Sequence, residues 1–144
     1  MSVGQFVFML HSHLPYYRKA GMWPFGEENL YECMAETYVP LLNAISELYD
    51  EGIKAKLTVG ITPILAEQLN DEHLQNGFVE YIDSRIKAVS KDLERYPDPK
   101  VAHSQHLKYL AKYYFDLWNK LRDDFVNKYE KNLIKYFKKY QDLG

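Results

Sequence analysis

His11 and His13, in the stretch His11-Ser12-His13-Leu14-Pro15-Tyr16-Tyr17, are the first residues of this chain whose type and spacing suit chemistry. They close an apolar run, Gln5-Phe6-Val7-Phe8-Met9-Leu10, that lacks polar alternation. Such a run reads as a strand covered on both faces in a parallel sheet. Side chains two apart on a strand share a face, so a strand that persists past Leu10 points both imidazoles the same way. Pro15 has no N–H to give a ladder and ends regular pairing. The imidazoles then stand at the C-terminal end of a first strand, where α/β folds bind ligands. Such a pair is compatible with zinc, for which neutral imidazole is a good ligand. It is equally compatible with one ring serving as a buried, hydrogen-bonded structural group.

The next chemistry-bearing residues are aromatic and acidic. Tyr16, Tyr17 and Trp23 offer flat faces for a ligand, or fill the small core of their own loop. Trp23 is the strongest of these, because Pro24 and Gly26 beside it imply a shaped loop. Glu27 and Glu28 do not face each other as a catalytic pair would, and helix N-termini favour acids in any case. Arg18 and Lys19 read as solvated. Glu67 and Gln68 are candidates for hydrogen bonds at the ligand end, with an ordinary helical role as the alternative. His103 and His106 are one turn apart, a metal-compatible spacing that in a Tyr- and Lys-rich helix is usually inert surface.

The elements that must position these residues follow from punctuation and period. A helix over 29–36 is carried by Leu30, Met34 and Tyr38. Pro40 marks the first turn of a new helix or a kink, with Thr37 near a capping position. Leu41, Leu42, Ile45, Leu48 and Tyr49 form one stripe, ended by Asp50-Glu51-Gly52 with Gly52 as a left-handed cap. Residues 55–61 read as a second strand, so strand, helix and strand make a βαβ unit with parallel strands. Thr62-Pro63 starts a short helix over 64–69. Asn70-Asp71 starts another, with Phe78, Ile82, Ile86, Val89 and Leu93 on one face, broken at Tyr96-Pro97-Asp98-Pro99. From His103 to about Tyr140 there is neither Gly nor Pro, which reads as one very long helix or two stacked in line. Residues 141–144 read as a turn towards a further strand.

Several of these segments resemble a known family. His11-Ser12-His13-Leu14-Pro15 resembles the first signature of glycoside hydrolase family 57. Tyr16-Tyr17-Arg18-Lys19 with Trp23-Pro24-Phe25-Gly26-Glu27-Glu28 narrows the likeness to its α-1,4-glucan branching enzymes. Glu36-Thr37-Tyr38-Val39-Pro40-Leu41-Leu42 and Ile61-Thr62-Pro63-Ile64-Leu65-Ala66-Glu67-Gln68-Leu69 resemble the same subgroup. The resemblance implies an α/β fold, the N-terminal part of an incomplete (β/α)7 barrel, with residues 1–144 as a single partial domain. It implies that His11, His13, Tyr16 and Trp23 contact an α-glucan, without metal or cofactor. It also implies that the catalytic Glu and Asp belong to later signatures, for which this chain has no match. The chain alone is then expected to bind glucan weakly and not to catalyse, its partners being the glucan and the remainder of the catalytic domain. A fragment of a related metal-dependent barrel hydrolase and a small helical binding module are the competing readings.

Bulk composition adds bounds. A length of 144 residues suits one domain, and 47% hydrophobic with 26% charged residues excludes disorder. A formal net charge of −2 gives no electrostatic case for nucleic acid or an anionic membrane. The aromatic share of 15%, with 13 tyrosines, leans mildly towards sugar binding. The single cysteine, Cys33, excludes an internal disulfide, and residues 6–10 are too short for a signal sequence or membrane span, so a cytoplasmic protein is expected.

Overall fold

The structure, a computed structural model, describes residues 3–4, 6–54, 56–96 and 103–143. Two short strands, β1 (Phe8–Ser12) and β2 (Leu57–Ile61), pair in parallel, with Phe8 opposite Leu57 and Ser12 opposite Ile61. Parallel neighbours need a crossover, and here it is helical. It starts as α1 (Glu27–Cys33), passes through a π-helical turn over Met34–Tyr38, and continues as α2 (Val39–Asp50). The wide turn receives Pro40: in a π turn N–H groups bond five residues back, as Val39 does to Met34, and the donor that proline lacks falls at the register change. Thr37 is exposed inside this turn and caps nothing. At the far end, Gly52 at φ 74° donates to the Tyr49 carbonyl (2.9 Å), and Ile53 to the Leu48 carbonyl (2.8 Å), a Schellman stop as expected of that glycine.

After β2, α3 (Pro63–Leu69) and α4 (Glu72–Arg95) follow closely. Asp71 caps α4 by accepting the Leu74 N–H at 3.1 Å. The break expected at Pro97-Asp98-Pro99 lies outside the described residues, as do Gln5, Ala55 and Gly144. The expected long final helix is divided: α5 (Ser104–Asp123) ends in a π turn over Asp124–Lys128, and α6 (Leu133–Leu143) follows. Glu130 and Lys131 take left-handed backbone at φ 51° and 61°, and Asn132 restarts the helix by accepting the Lys135 N–H at 2.9 Å. Residues 141–143 are helical rather than a turn.

α4 and α5 run antiparallel, as Phe78 against Phe125, Tyr81 against Trp118, and Asp83 paired with Arg122 require. The core is aromatic as well as aliphatic. Tyr31, Phe78, Phe125 and Tyr129 are fully buried among Leu30, Leu42, Leu65, Leu69, Leu74 and Ile82. Phe78 meets Phe125 edge-on with ring centroids 4.8 Å apart, a favoured aromatic geometry. The helices cover the sheet incompletely. Phe6, Val7, Phe8 and Met9 are all exposed, which corrects the expectation of a strand buried on both faces. β1 has only β2 beside it among the described residues, so its other edge and much of its surface stay open.

Gly77 on α4 lies directly against Tyr31 of α1. A Cβ there would stand 2.1 Å from the Tyr31 hydroxyl and 2.9 Å from its ring carbon Cζ. Glycine in a helix costs about 1 kcal/mol against alanine, yet here alanine would collide with a fully buried ring. Overpacking typically costs about 1–3 kcal/mol, which exceeds the propensity gain. Gly77→Ala should therefore lower stability, read as a reduced midpoint in urea denaturation.

Candidate functional site

The chain leaves β1 at Ser12 and enters a loop at the C-terminal end of both strands. Ser12 still accepts the Thr62 N–H at 3.2 Å, so the ladder closes there. His11 lies in the last strand positions, and its Nδ1 would be 3.4 Å from a Cβ on Gly60. His13 stands one residue beyond the strand, so alternation no longer fixes its direction. Both histidines are exposed. Among the described residues, no three His, Cys, Asp or Glu side chains gather closely enough to hold a metal ion. His103 and His106 are exposed too, and His106 stacks near Tyr109.

The loop is pinned residue by residue to the helices beneath it. Gln68 of α3, buried, donates its side-chain amide to the Pro15 carbonyl (2.9 Å) and accepts the Tyr17 N–H (2.7 Å). Arg18 donates Nε to Asp71 at 2.6 Å, so it is not the freely solvated residue expected of it. The Lys19 N–H donates to Glu27 Oε1 at 2.7 Å. Glu27 and Glu28 then return two N–H groups to the Gly21 and Met22 carbonyls, at 2.8 and 3.3 Å. Gly26 sits so close that a Cβ would meet the Gly21 carbonyl oxygen at 2.1 Å. Lys19, Gly21 and Phe25 take positive φ to turn the chain through this space.

What is left unpinned is the tip. Met22, Trp23 and Phe25 are exposed, Trp23 at 78% and Phe25 at 84%. Trp23 therefore does not fill a core of its own loop. Tyr16 is exposed at 60%, whereas Tyr17 is half-buried against the core. The adjacent tyrosines thus divide between a free face and a packing role. Glu67 is exposed, and Thr62, just after β2, keeps a buried hydroxyl with no hydrogen-bond partner among the described residues.

Glu27 is the residue that sequence reading undervalued. It is 6% exposed, and its carboxylate is held by Lys19 N–H, Tyr31 OH (3.0 Å) and His73 Nε2 (2.9 Å). A carboxylate only accepts, so His73 carries a proton on Nε2. Burial alone would raise the Glu27 pKa; the Lys19, His73 and Tyr31 donors outweigh it and hold the carboxyl below its ordinary value. Burial and the same contact push the Tyr31 phenol up, keeping it a donor. Asp71 behaves alike: burial raises it, but the Leu74 N–H and Arg18 draw it down. Glu28 pairs with Arg85. The one sequence signal for this arrangement was the four-residue spacing of Glu27 and Tyr31.

An open apolar groove of about 510 Å³ lies elsewhere, lined by Leu57, Val59 and Ile61 of β2, Ile45, and Phe137 and Tyr140 of α6. None of its lining residues belongs to the histidine–tryptophan loop.

The family model of glycosyl hydrolase family 57 matches residues 7–144. This chain belongs to that family. Over 125 residues it is 42% identical to the 1,4-alpha-glucan branching enzyme of Thermococcus kodakarensis, covering 87% of this chain and 18% of that protein. It is 43% identical over 74 residues to a probable 1,4-alpha-glucan branching enzyme of Mycobacterium tuberculosis, covering 51% of this chain and 14% of that one. Among solved structures, the family-57-type branching enzyme of Pyrococcus horikoshii superposes with a TM-score of 0.86 at 36% identity, over 96% of this chain and 25% of the other. The alpha-amylase AmyC of Thermotoga maritima gives 0.78 at 32% identity, over 96% and 25%. The described fold is thus the N-terminal part of the family-57 barrel, and the chain spans a quarter or less of the length of these relatives.

The lowered Glu27 and Asp71 values predict an acid limb of stability. Each carboxylate stabilises fully above its unfolded value and loses that contribution as pH falls through the lower folded value. Replacing Glu27 by Gln removes one titrating group, so the stability of Glu27→Gln should fall less steeply below about pH 4.5 than that of the parent, read as urea midpoint against pH.

Proposed function

We propose that this chain is the N-terminal part of a 1,4-α-glucan branching enzyme, with residues 1–144 forming one partial domain of its catalytic barrel. The observation that carries the reading is the superposition of 96% of the chain on a branching enzyme of the family at 36% identity. The exposed apolar segment Phe6–Met9 supports it, since such a strand calls for cover from further barrel elements. A cytoplasmic role in glycogen-like glucan synthesis belongs to the same reading. The lone Cys33, free and half-buried, accords with it. No described helix is long and apolar enough to cross a membrane.

The reaction needs two carboxyl groups that the resemblance assigns to later segments. One attacks the anomeric carbon and forms a glycosyl-enzyme while the other protonates the departing chain oxygen. The second then takes the proton of a glucan 6-hydroxyl, which attacks and releases the nucleophile. In this scheme His11, His13, Tyr16 and Trp23 bind and orient the glucan. Exposed imidazoles donate to and accept from hydroxyls, and exposed rings stack on the apolar faces of glucose.

In the full-length polypeptide that carries this chain, Trp23→Ala and His13→Ala should each raise KM for amylose by about five- to tenfold, the loss of one contact of about 1–1.4 kcal/mol. Branching is read from α-1,6 linkages released by a debranching enzyme. Unchanged KM in both variants would remove these residues from the glucan site. Short linear products without new branches would favour the amylase reading, to which the 0.78 TM-score with AmyC lends support.

A further inference from the structure

We propose that Glu27 is the positioning residue for Trp23, holding the loop that presents the indole without touching the glucan itself; the inference rests on the reading of Trp23 as a sugar contact. Glu27 ties the two limbs of this loop together, because it follows the tip in sequence and bonds twice to the limb that precedes it. Its Oε1 accepts the Lys19 N–H at 2.7 Å, four residues before Trp23. Its own N–H donates to the Gly21 carbonyl at 2.8 Å, two residues before. The following residue, Glu28, continues the clasp by donating to the Met22 carbonyl at 3.3 Å.

The carboxylate is in turn fixed from two helices: Tyr31 one turn on in α1, and His73 in the first turn of α4. Gly26 admits no side chain beneath the clasp, where a Cβ would meet the Gly21 carbonyl oxygen at 2.1 Å. The tip carries the exposed Met22, Trp23 and Phe25 and makes no described hydrogen bond of its own beyond Met22. An exposed indole on an unrestrained loop would lose its ordering entropy on binding; one on a clasped loop has lost it already. Affinity is then set partly by a buried acid that no sugar reaches.

The test uses the full-length polypeptide carrying 5-fluorotryptophan, with the Trp23 signal assigned by its loss in Trp23→Phe. Glu27→Ala should shift and sharpen that fluorine signal and raise KM for amylose about tenfold with kcat changed less than twofold. Glu27→Gln, whose amide oxygen still accepts the Lys19 N–H, should restore both. His73→Ala, which removes one exposed donor and leaves the core intact, should fall between. An unmoved Trp23 signal in Glu27→Ala, or in His73→Ala should the first variant fail to fold, overturns the proposal. A loosened loop with KM unchanged in both Glu27→Ala and Trp23→Ala overturns the sugar reading of Trp23, while the fluorine signal still upholds the clasp.

Discussion

A carboxylate taken out of water must be given donors, and this requirement at Glu27 governs how the loop after β1 meets the helices. Desolvating an unpaired carboxylate would drive it to protonate or to leave the interior. Glu27 does neither, because a backbone N–H, a phenol and an imidazole converge on it. Meeting that demand ties the loop after β1 to α1 and α4 at one point. Tyr31 reaches the acid from one turn further along α1, and its hydroxyl lies against Gly77 of α4, where there is no side chain to block it. Conformational freedom at Gly77 is irrelevant; the position is small because a ring occupies the space.

The other loop pins follow the same logic with weaker groups. Gln68 satisfies a carbonyl and an N–H of the loop with the two ends of one amide, which a carboxylate could not do. Asp71 divides its oxygens between the first turn of α4 and Arg18. Three helices (α1, α3 and, through its capping Asp71, α4) therefore each send one polar side chain to the same loop. The hydrophobic core below holds the helices together and receives Leu14 and Tyr17 of the loop. The hydrogen-bonded pins add a constraint that is specific to residue type rather than to volume.

Periodicity and punctuation made most of the helices legible from sequence. Thr62-Pro63, Asp71 and Gly52 each mark a boundary through a local backbone preference, and the structure has boundaries at all three. The family was legible because His-x-His-x-Pro, Trp-Pro-Phe-Gly-Glu-Glu and Thr-Pro-x-Leu-Ala-Glu-Gln-Leu occur in order. Two things were not legible. The π turns at Met34–Tyr38 and Asp124–Lys128 keep helical spacing almost unchanged, so a stripe of apolar residues passes through them unmarked. The partners of Glu27 are separated from it by 8 and 46 residues as well as by 4, and only the last spacing is a helical neighbour. Reading Glu27 as an ordinary acid at a helix start was sound by frequency and missed its burial, which depends on α4 arriving from far along the chain.

Burial also falls differently from what the apolar strand asks for. Continuous hydrophobicity in residues 6–10 predicts cover, yet the helices of this chain gather around α1, α4 and α5 and leave Phe6, Val7, Phe8 and Met9 exposed. The loop after β1, by contrast, has a base tied to the buried Glu27 and Gln68. A sequence run records what a segment needs to have against it, not whether the neighbouring residues of the same chain supply it. A strand of this composition and a clasped aromatic loop at its end are consistent with one arrangement: a sheet that continues sideways beyond β1, with the loop at the rim where further strands would end. The loop's attachment to the helices comes from Glu27, Gln68 and Asp71, all within this chain.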